Sequence, residues 1–254
     1  LNPIGTGPFE LESLSPDSGV LLKRNEDYWI ETEVDKVEMV VIPDPTAQVI
    51  SLQAGEVDIV PHIWNYDMVE PLMEEPDLKV IQGRGGSYRG LGFNVTVAPF
   101  DDLEVRRAIS QIIDIDEAVS IMLDHSERAY GQVPPWVPFG YDPTLADLWE
   151  YDPDEGIATL EANGFEDENG DGFYEWNDEP FEIDLKTLPG SQVQVLTIIA
   201  TQLREAGINA SVLQQDVAVW ADDLVNLNET TLFFDYSFAG TTGLRSLFHV
   251  EMVG

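Results

Sequence analysis

The chain has 254 residues, of which 43% are hydrophobic and 10% aromatic, enough for a sizeable core in one large domain or two small ones. Its 48 acidic residues face 12 basic ones, for a net charge of −36, so its surface repels nucleic acid and anionic membranes. Zero cysteines exclude thiol catalysis, zinc–thiolate centres and disulfides, and no apolar run is long enough to span a bilayer.

The acids are spread over every segment, Lys occurs at positions 23, 36, 79 and 186 alone, and residues 129–185 hold no Lys or Arg. Such charge can mark disorder, cation binding or adaptation to high salt. Regular aromatic and aliphatic residues argue against disorder. The expectation is a haloarchaeal protein whose carboxylates keep the surface hydrated while salt screens their repulsion.

Residues 5–11, Gly-Thr-Gly-Pro-Phe-Glu-Leu, read as a glycine/proline turn leading into a strand. Strands are expected at 20–25 and 34–43, the second with alternation at Val37, Met39 and Val41. Asp44-Pro45 begins a helix with apolar Val49, Ile50 and Leu52, stopped at Gly55, and a short buried strand is expected at 57–60. That order suggests an α/β lobe. Residues 88–95 read as a strand. Asp101 and Asp102 then cap a helix to about Ile113, with Val105, Ala108, Ile109 and Ile112 on one face. Pro134, Pro135 and Pro138 break up a long loop. Asp152-Pro153 starts a helix closed by Gly164, 181–188 alternates as a strand, and 191–206 is an amphipathic helix ended by Gly207. A strand at 208–213, a helix at 217–227 and a buried strand at 232–238 follow; Trp29 and Trp220 are assigned to the core.

Several segments carry a resemblance. Gly5-Thr6-Gly7-Pro8-Phe9 followed by Leu22-Lys23-Arg24-Asn25-Glu26-Asp27-Tyr28-Trp29 is similar to the family 5 extracellular solute-binding proteins. The resemblance continues through Leu52-Gln53-Ala54-Gly55-Glu56-Val57-Asp58-Ile59, then Leu91-Gly92-Phe93-Asn94 with Pro99-Phe100, then Val105-Arg106-Arg107-Ala108. It extends to Ile113-Asp114 with Glu117-Ala118, to Tyr151-Asp152-Pro153 with Ala158, Leu160 and Gly164-Phe165, and to Gln202-Leu203 with Ala206-Gly207-Ile208.

The resemblance implies a periplasmic-binding-protein-like type II fold, with two mixed α/β lobes joined by a hinge and incomplete within this sequence. Residues 1–87 would be a first-lobe portion, 88–230 the second lobe, and about 231–254 would rejoin the first. It also implies a non-catalytic subunit of an ABC importer that captures a peptide or other small solute for a membrane permease. The expected place is the extracellular face of the membrane, through a lipid anchor on an N-terminal segment outside this sequence. No cofactor is required on this reading.

Ligand-binding candidates are Tyr88, Asn94, Trp136, Tyr236, Phe238, Thr241 and Thr242, which fall at strand ends or in loops. In the family's peptide-binding members, an Asp in the segment after the returning strand grips the peptide amine. Here that segment is Asp235-Tyr236-Ser237-Phe238-Ala239-Gly240-Thr241-Thr242-Gly243, without a carboxylate at the matching place. Oligopeptides, sugars and chelates therefore stand as comparable solutes.

Residues 167–178 follow calcium-loop spacing, with Asp167, Asn169, Asp171, the Phe173 carbonyl, Glu175 and Asp178 as candidate ligands for Ca²⁺. The twelfth position is Asp rather than Glu, so a solvated acidic turn competes with that reading. His62, His125 and His249 have no metal-ligand spacing, and Arg106-Arg107 are expected to pair with acids. Asn94, Asn209 and Asn228 begin glycosylation sequons. A secreted acidic hydrolase and a surface structural protein remain alternatives. For the first, no carboxylate pair is distinguished from the background and no nucleophile, metalloprotease, Walker or dinucleotide motif is present.

Overall fold

The computed structural model describes residues 3–15, 19–83, 87–122, 126–131, 133–137, 140–148, 150–226 and 231–237, the last by backbone alone. The chain divides into two compact units after His62.

In the first unit, β1 (Phe9–Ser15), β2 (Gly19–Arg24) and β3 (Lys36–Met39) form an antiparallel sheet with β2 in the centre. β1 is bulged between Leu11 and Ser13. Gly19 sits at φ +107°, and a Cβ there would come within 1.9 Å of the Met39 carbonyl oxygen, so only glycine fits. The two halves of the opening motif are joined here. Asn25 donates from its backbone to the Pro8 carbonyl at 2.9 Å and from Nδ2 to the Gly7 carbonyl at 3.0 Å. Its Oδ1 accepts from the Asp27 amide. Helix α1 (Pro45–Gln53) starts as expected, with Asp44 accepting from the Ala47 amide at 2.7 Å.

Three expectations are corrected in this unit. Residues 57–60 form no strand; the Glu56 and Val57 amides instead turn back to the Ser51 carbonyl. The third strand is four residues long, and Met39 and Val41 are exposed. Trp29 is 72% exposed rather than core, because the turn begun by Asn25 carries it off the sheet and against Tyr28.

The second unit opens with a 3₁₀ turn (Tyr66–Met68) and α2 (Val69–Met73). Then come β4 (Ser87–Phe93), α3 (Leu103–Ile112), α4 (Ile115–Ser120) and a 3₁₀ segment (Pro143–Leu148). α5 (Pro153–Ala162) leads to the small meander β5 (Phe165–Glu166), β6 (Glu175–Trp176) and β7 (Glu179–Pro180). The last part is β8 (Glu182–Thr187), α6 (Gln192–Glu205), β9 (Asn209–Gln214), α7 (Val217–Asn226) and β10 (Thr231–Ser237). β8 and β9 are parallel with α6 as their crossover, and β4 and β10 form an antiparallel pair.

The core lies here. β8 alternates strictly, burying Ile183, Leu185 and Thr187 beneath α6 residues Leu196, Ile199, Ala200 and Leu203. Phe93, Phe100, Phe181 and Phe165 run through it as a chain of ring contacts, with centroids 5.2, 6.0 and 4.8 Å apart. α3 buries Val105, Ala108, Ile109 and Ile112, as its periodicity predicts. α5 approaches it closely at Gly156, where a Cβ would lie 2.7 Å from the Ala108 carbonyl oxygen. Asp102, Asp114 and Asp152 cap their helices through their side chains.

Candidate functional site

In open α/β sheets, ligands collect beyond the carboxyl ends of parallel strands. The carboxyl end of β8 runs into Leu188, Pro189, Gly190 and Ser191, and then into α6. Ser191 is at the N-cap but does not cap its own helix. Its amide donates to the Trp64 carbonyl at 3.1 Å, and its Oγ accepts from the Tyr66 amide at 2.9 Å. The 64–66 segment is thus bonded to the end of β8 from 125 residues away in sequence.

Arg89, from β4, enters the same place. Its Nη2 donates to the Tyr66 hydroxyl at 2.8 Å, and its guanidinium carbon lies 5.5 Å from the Tyr66 ring centroid and 5.8 Å from that of Trp64. Trp64, Tyr66 and Arg89 are all half-buried. A cation over two aromatic faces gains about 0.5–1 kcal/mol per contact at exposed sites and more when desolvated. The guanidinium is a planar fork of five N–H donors on one charged group.

Two glutamines border this edge, Gln192 buried and Gln215 half-buried. Gln192 donates from Nε2 to the Leu188 and Pro189 carbonyls at 3.0 Å each, but its Oε1 has no hydrogen-bond partner among the described residues. Gly190, at φ +140°, leaves room for that amide; a Cβ would lie 2.6 Å from Gln192 Oε1. Gln215, just past β9, donates to Asp223 Oδ2 at 2.8 Å, and Lys186 Nζ lies 3.8 Å from the same oxygen. The Gln215 Oε1 is likewise buried without a described partner.

Of the residues singled out from sequence, Tyr88 and Tyr236 are brought opposite each other by the β4–β10 register, one step from the Arg89–Asp235 pair. Asn94 lies in the turn after β4, where its Oδ1 accepts from the Thr96 amide and hydroxyl. Trp136 is in a separate turn closed by the Val137 amide on the Pro134 carbonyl. Phe238, Thr241, Thr242 and the segment expected to rejoin the first lobe lie outside the described residues, apart from β10. The division after His62 precedes the lobe boundary expected at residue 87, since Trp64 and Tyr66 bond to Ser191. Arg89, Tyr66, Ser191 and Gln192 had no role in the sequence reading. The one usable signal was Arg89 itself, a base inside an otherwise uncharged strand of an acid-rich chain. Arg107 pairs with Glu104 as expected, whereas Arg106 donates to the Phe100 carbonyl instead.

The 167–178 loop satisfies itself. Asp167 Oδ1 accepts from the Gly170 and Asp171 amides and its Oδ2 from Gly172, at 2.8, 3.2 and 3.0 Å. Asn169 and Asp171 accept from the Asp171 and Phe173 amides, and buried Glu175 accepts from the Glu168 amide and Asn169 Nδ2. Asn177 and Asp178, both at positive φ, form the two-residue turn between β6 and β7. Among the described residues, no group of three or more acidic or histidine side chains is arranged to hold a metal ion. Tyr174 beside this loop has its hydroxyl pKa raised, first by burial and then by Glu161. Among the described residues no helix is long and apolar enough to cross a membrane.

This mixed α/β arrangement, with parallel β8 and β9 joined by α6, has the type II periplasmic-binding-protein fold. A sequence profile of the bacterial extracellular solute-binding proteins, family 5, middle region, matches residues 1–243, and the chain belongs to that family. It is 29% identical to the oligopeptide-binding protein AppA of Bacillus subtilis, across 94% of this chain and 44% of AppA. It is 25% identical to the nickel-binding periplasmic protein of Escherichia coli, across 84% of this chain and 42% of that protein. The crystal structure of AppA with a nonapeptide superposes with a TM-score of 0.79 at 26% identity, covering 93% of this chain and 48% of that one. A mannohexaose-bound oligopeptide-binding protein from Thermotoga maritima gives 0.83 at 22% identity, covering 99% and 51%, and so supports the fold. The chain spans about half the length of the relatives it matches.

Proposed function

We propose that this chain is part of the extracellular solute-binding subunit of an ABC importer, which captures a small solute and hands it to a membrane permease without chemical change. The observation that carries the reading is Arg89 over the Trp64 and Tyr66 rings, with that segment bonded to Ser191 at the carboxyl end of β8. A guanidinium beside two aromatic rings suits a solute that offers a carboxylate or carbonyl together with an apolar or sugar-ring face. Family relatives whose names specify oligopeptide and nickel support an importer role and leave oligopeptides, sugars and chelates as the solute classes to test. Closure on the solute must be reversible, so the binding free energy is spread over many modest contacts.

The anchor would be a lipid on a segment outside this sequence, and the acidic surface would suit a high-salt medium. We read the 167–178 loop as a structural turn rather than a calcium site, because among the described residues no group of three or more acidic side chains converges on one point. Thermal shift of the full-length protein against peptide, oligosaccharide and chelate panels tests the function. Stabilisation by one class supports it, and hydrolysis of a bound member of the panel would replace it with an enzyme.

A further inference from the structure

Two of the three sequons fall on described residues, and the fold holds them in different shapes. Asn209 and Ser211 lie in β9, opposite Glu182 and Asp184 of β8. Asn209 Nδ2 donates to Glu182 Oε1 at 2.9 Å, and Ser211 Oγ donates to Asp184 Oδ1 at 2.6 Å. Amide and hydroxyl are each committed to the neighbouring strand, and extended backbone keeps them about 7 Å apart along it.

Asn94 and Thr96 lie in a tight turn beyond β4. The Thr96 amide and hydroxyl both donate to Asn94 Oδ1, at 3.1 and 2.6 Å, and the Val97 amide closes the turn on the Asn94 carbonyl at 3.2 Å. Asn94 is half-buried, and the next four residues are exposed, including Val95 at 49% and Val97 at 39%. A sequon requires a hydroxyl two residues after the Asn, so a transferase must read amide and hydroxyl together. This turn presents them side by side, and its bonds within residues 94–97 can form before the rest of the chain folds.

We infer that Asn94 is an N-glycosylation site, and that its glycan covers the exposed apolar turn at Val95 and Val97. The donor class is a lipid-linked oligosaccharide. Asn94 Nδ2 attacks the anomeric carbon and the carbon–nitrogen bond forms. The bond from that carbon to the lipid phosphate oxygen breaks, the lipid phosphate leaves with the electron pair, and the nitrogen gives up one proton. A glycan on Asn94 Nδ2 would crowd a solute from that atom, so this assignment takes Asn94 out of the ligand-binding set. The inference rests on the extracellular reading, because such a donor is met by chains that cross the membrane.

Glycopeptide mass spectrometry of the full-length protein from its native host is the test. Asn94 is expected to carry a glycan and Asn209 to be bare. Thr96→Ala is expected to reduce occupancy at Asn94 to background with the Asn still present, and Thr96→Ser to retain it. Bare Asn94 in protein recovered from the outer cell surface would overturn this inference and leave solute binding standing. Bare Asn94 in protein confined to the cytoplasm would overturn the extracellular reading with it.

Discussion

Arg89 donates through Nη2 to the Tyr66 hydroxyl at 2.8 Å, and this bond joins strand β4 to the segment held at the end of β8. If that guanidinium meets solute, Arg89→Gln should weaken binding roughly 10–100-fold, the range for a hydrogen bond to a charged group. Arg89→Lys, which keeps the charge but loses the planar stack, should recover only part of it. Isothermal titration with the solute from the panel checks this. An unchanged Kd with lowered thermal stability would make Arg89 purely structural.

The core should be sensitive at the α3–α5 contact. Leu160 is fully buried, and Leu160→Ala is expected to cost about 2–5 kcal/mol in chemical denaturation. Gly156→Ala should cost about 1–3 kcal/mol for the opposite reason, since its Cβ meets the Ala108 carbonyl and Ile112. Both should leave solute affinity unchanged once folded.

Salt should stabilise the protein. A net charge of −36 repels itself, and the Debye length falls from about 10 Å at 0.1 M to about 3 Å at 1 M. Most of the described ion pairs are at least half exposed on one partner and offset little of that repulsion. Thermal unfolding of the full-length protein should shift upward steadily with KCl. A melting temperature independent of KCl would contradict the high-salt reading.

Tyr174 gives a pH prediction with a defined sign. Its folded-state pKa is raised by burial and by Glu161, so the folded state holds the proton more tightly than the unfolded one. The contribution is fully present below the unfolded value of about 10 and is lost as pH rises through the folded value. Tyrosinate absorbance should show one residue ionising late, absent in Tyr174→Phe.

The 167–178 loop is expected to release no heat with millimolar Ca²⁺ in calorimetry, since among the described residues no three acidic side chains are grouped to hold a cation. Heat that Asp171→Asn abolishes would assign the loop to a cation.

Helix starts were legible because they depend on local chemistry: Asp44, Asp102 and Asp152 cap where an acid precedes the apolar run. The strands at 181–188 and 208–213 were legible from alternation and β-branched content. Trp29 was misassigned because an aromatic's burial is set by what the fold lays over it, not by its neighbours in sequence. The contacts of the Arg89 cluster were not legible for the same reason. It depends on Tyr66 meeting Ser191 across 125 residues, and no local pattern encodes that contact. The opening motif acquired a physical basis only in the fold, where Asn25 bonds the Gly7 and Pro8 carbonyls.

The account stands on reversible capture of a small solute. Native mass spectrometry of the full-length protein purified from its host tests it most directly. The expected result is one small solute per chain, released on unfolding and rebound unaltered on refolding. Protein that carries no solute and is stabilised by no peptide, sugar or chelate would contradict the account, as would a bound solute returned as a cleaved product.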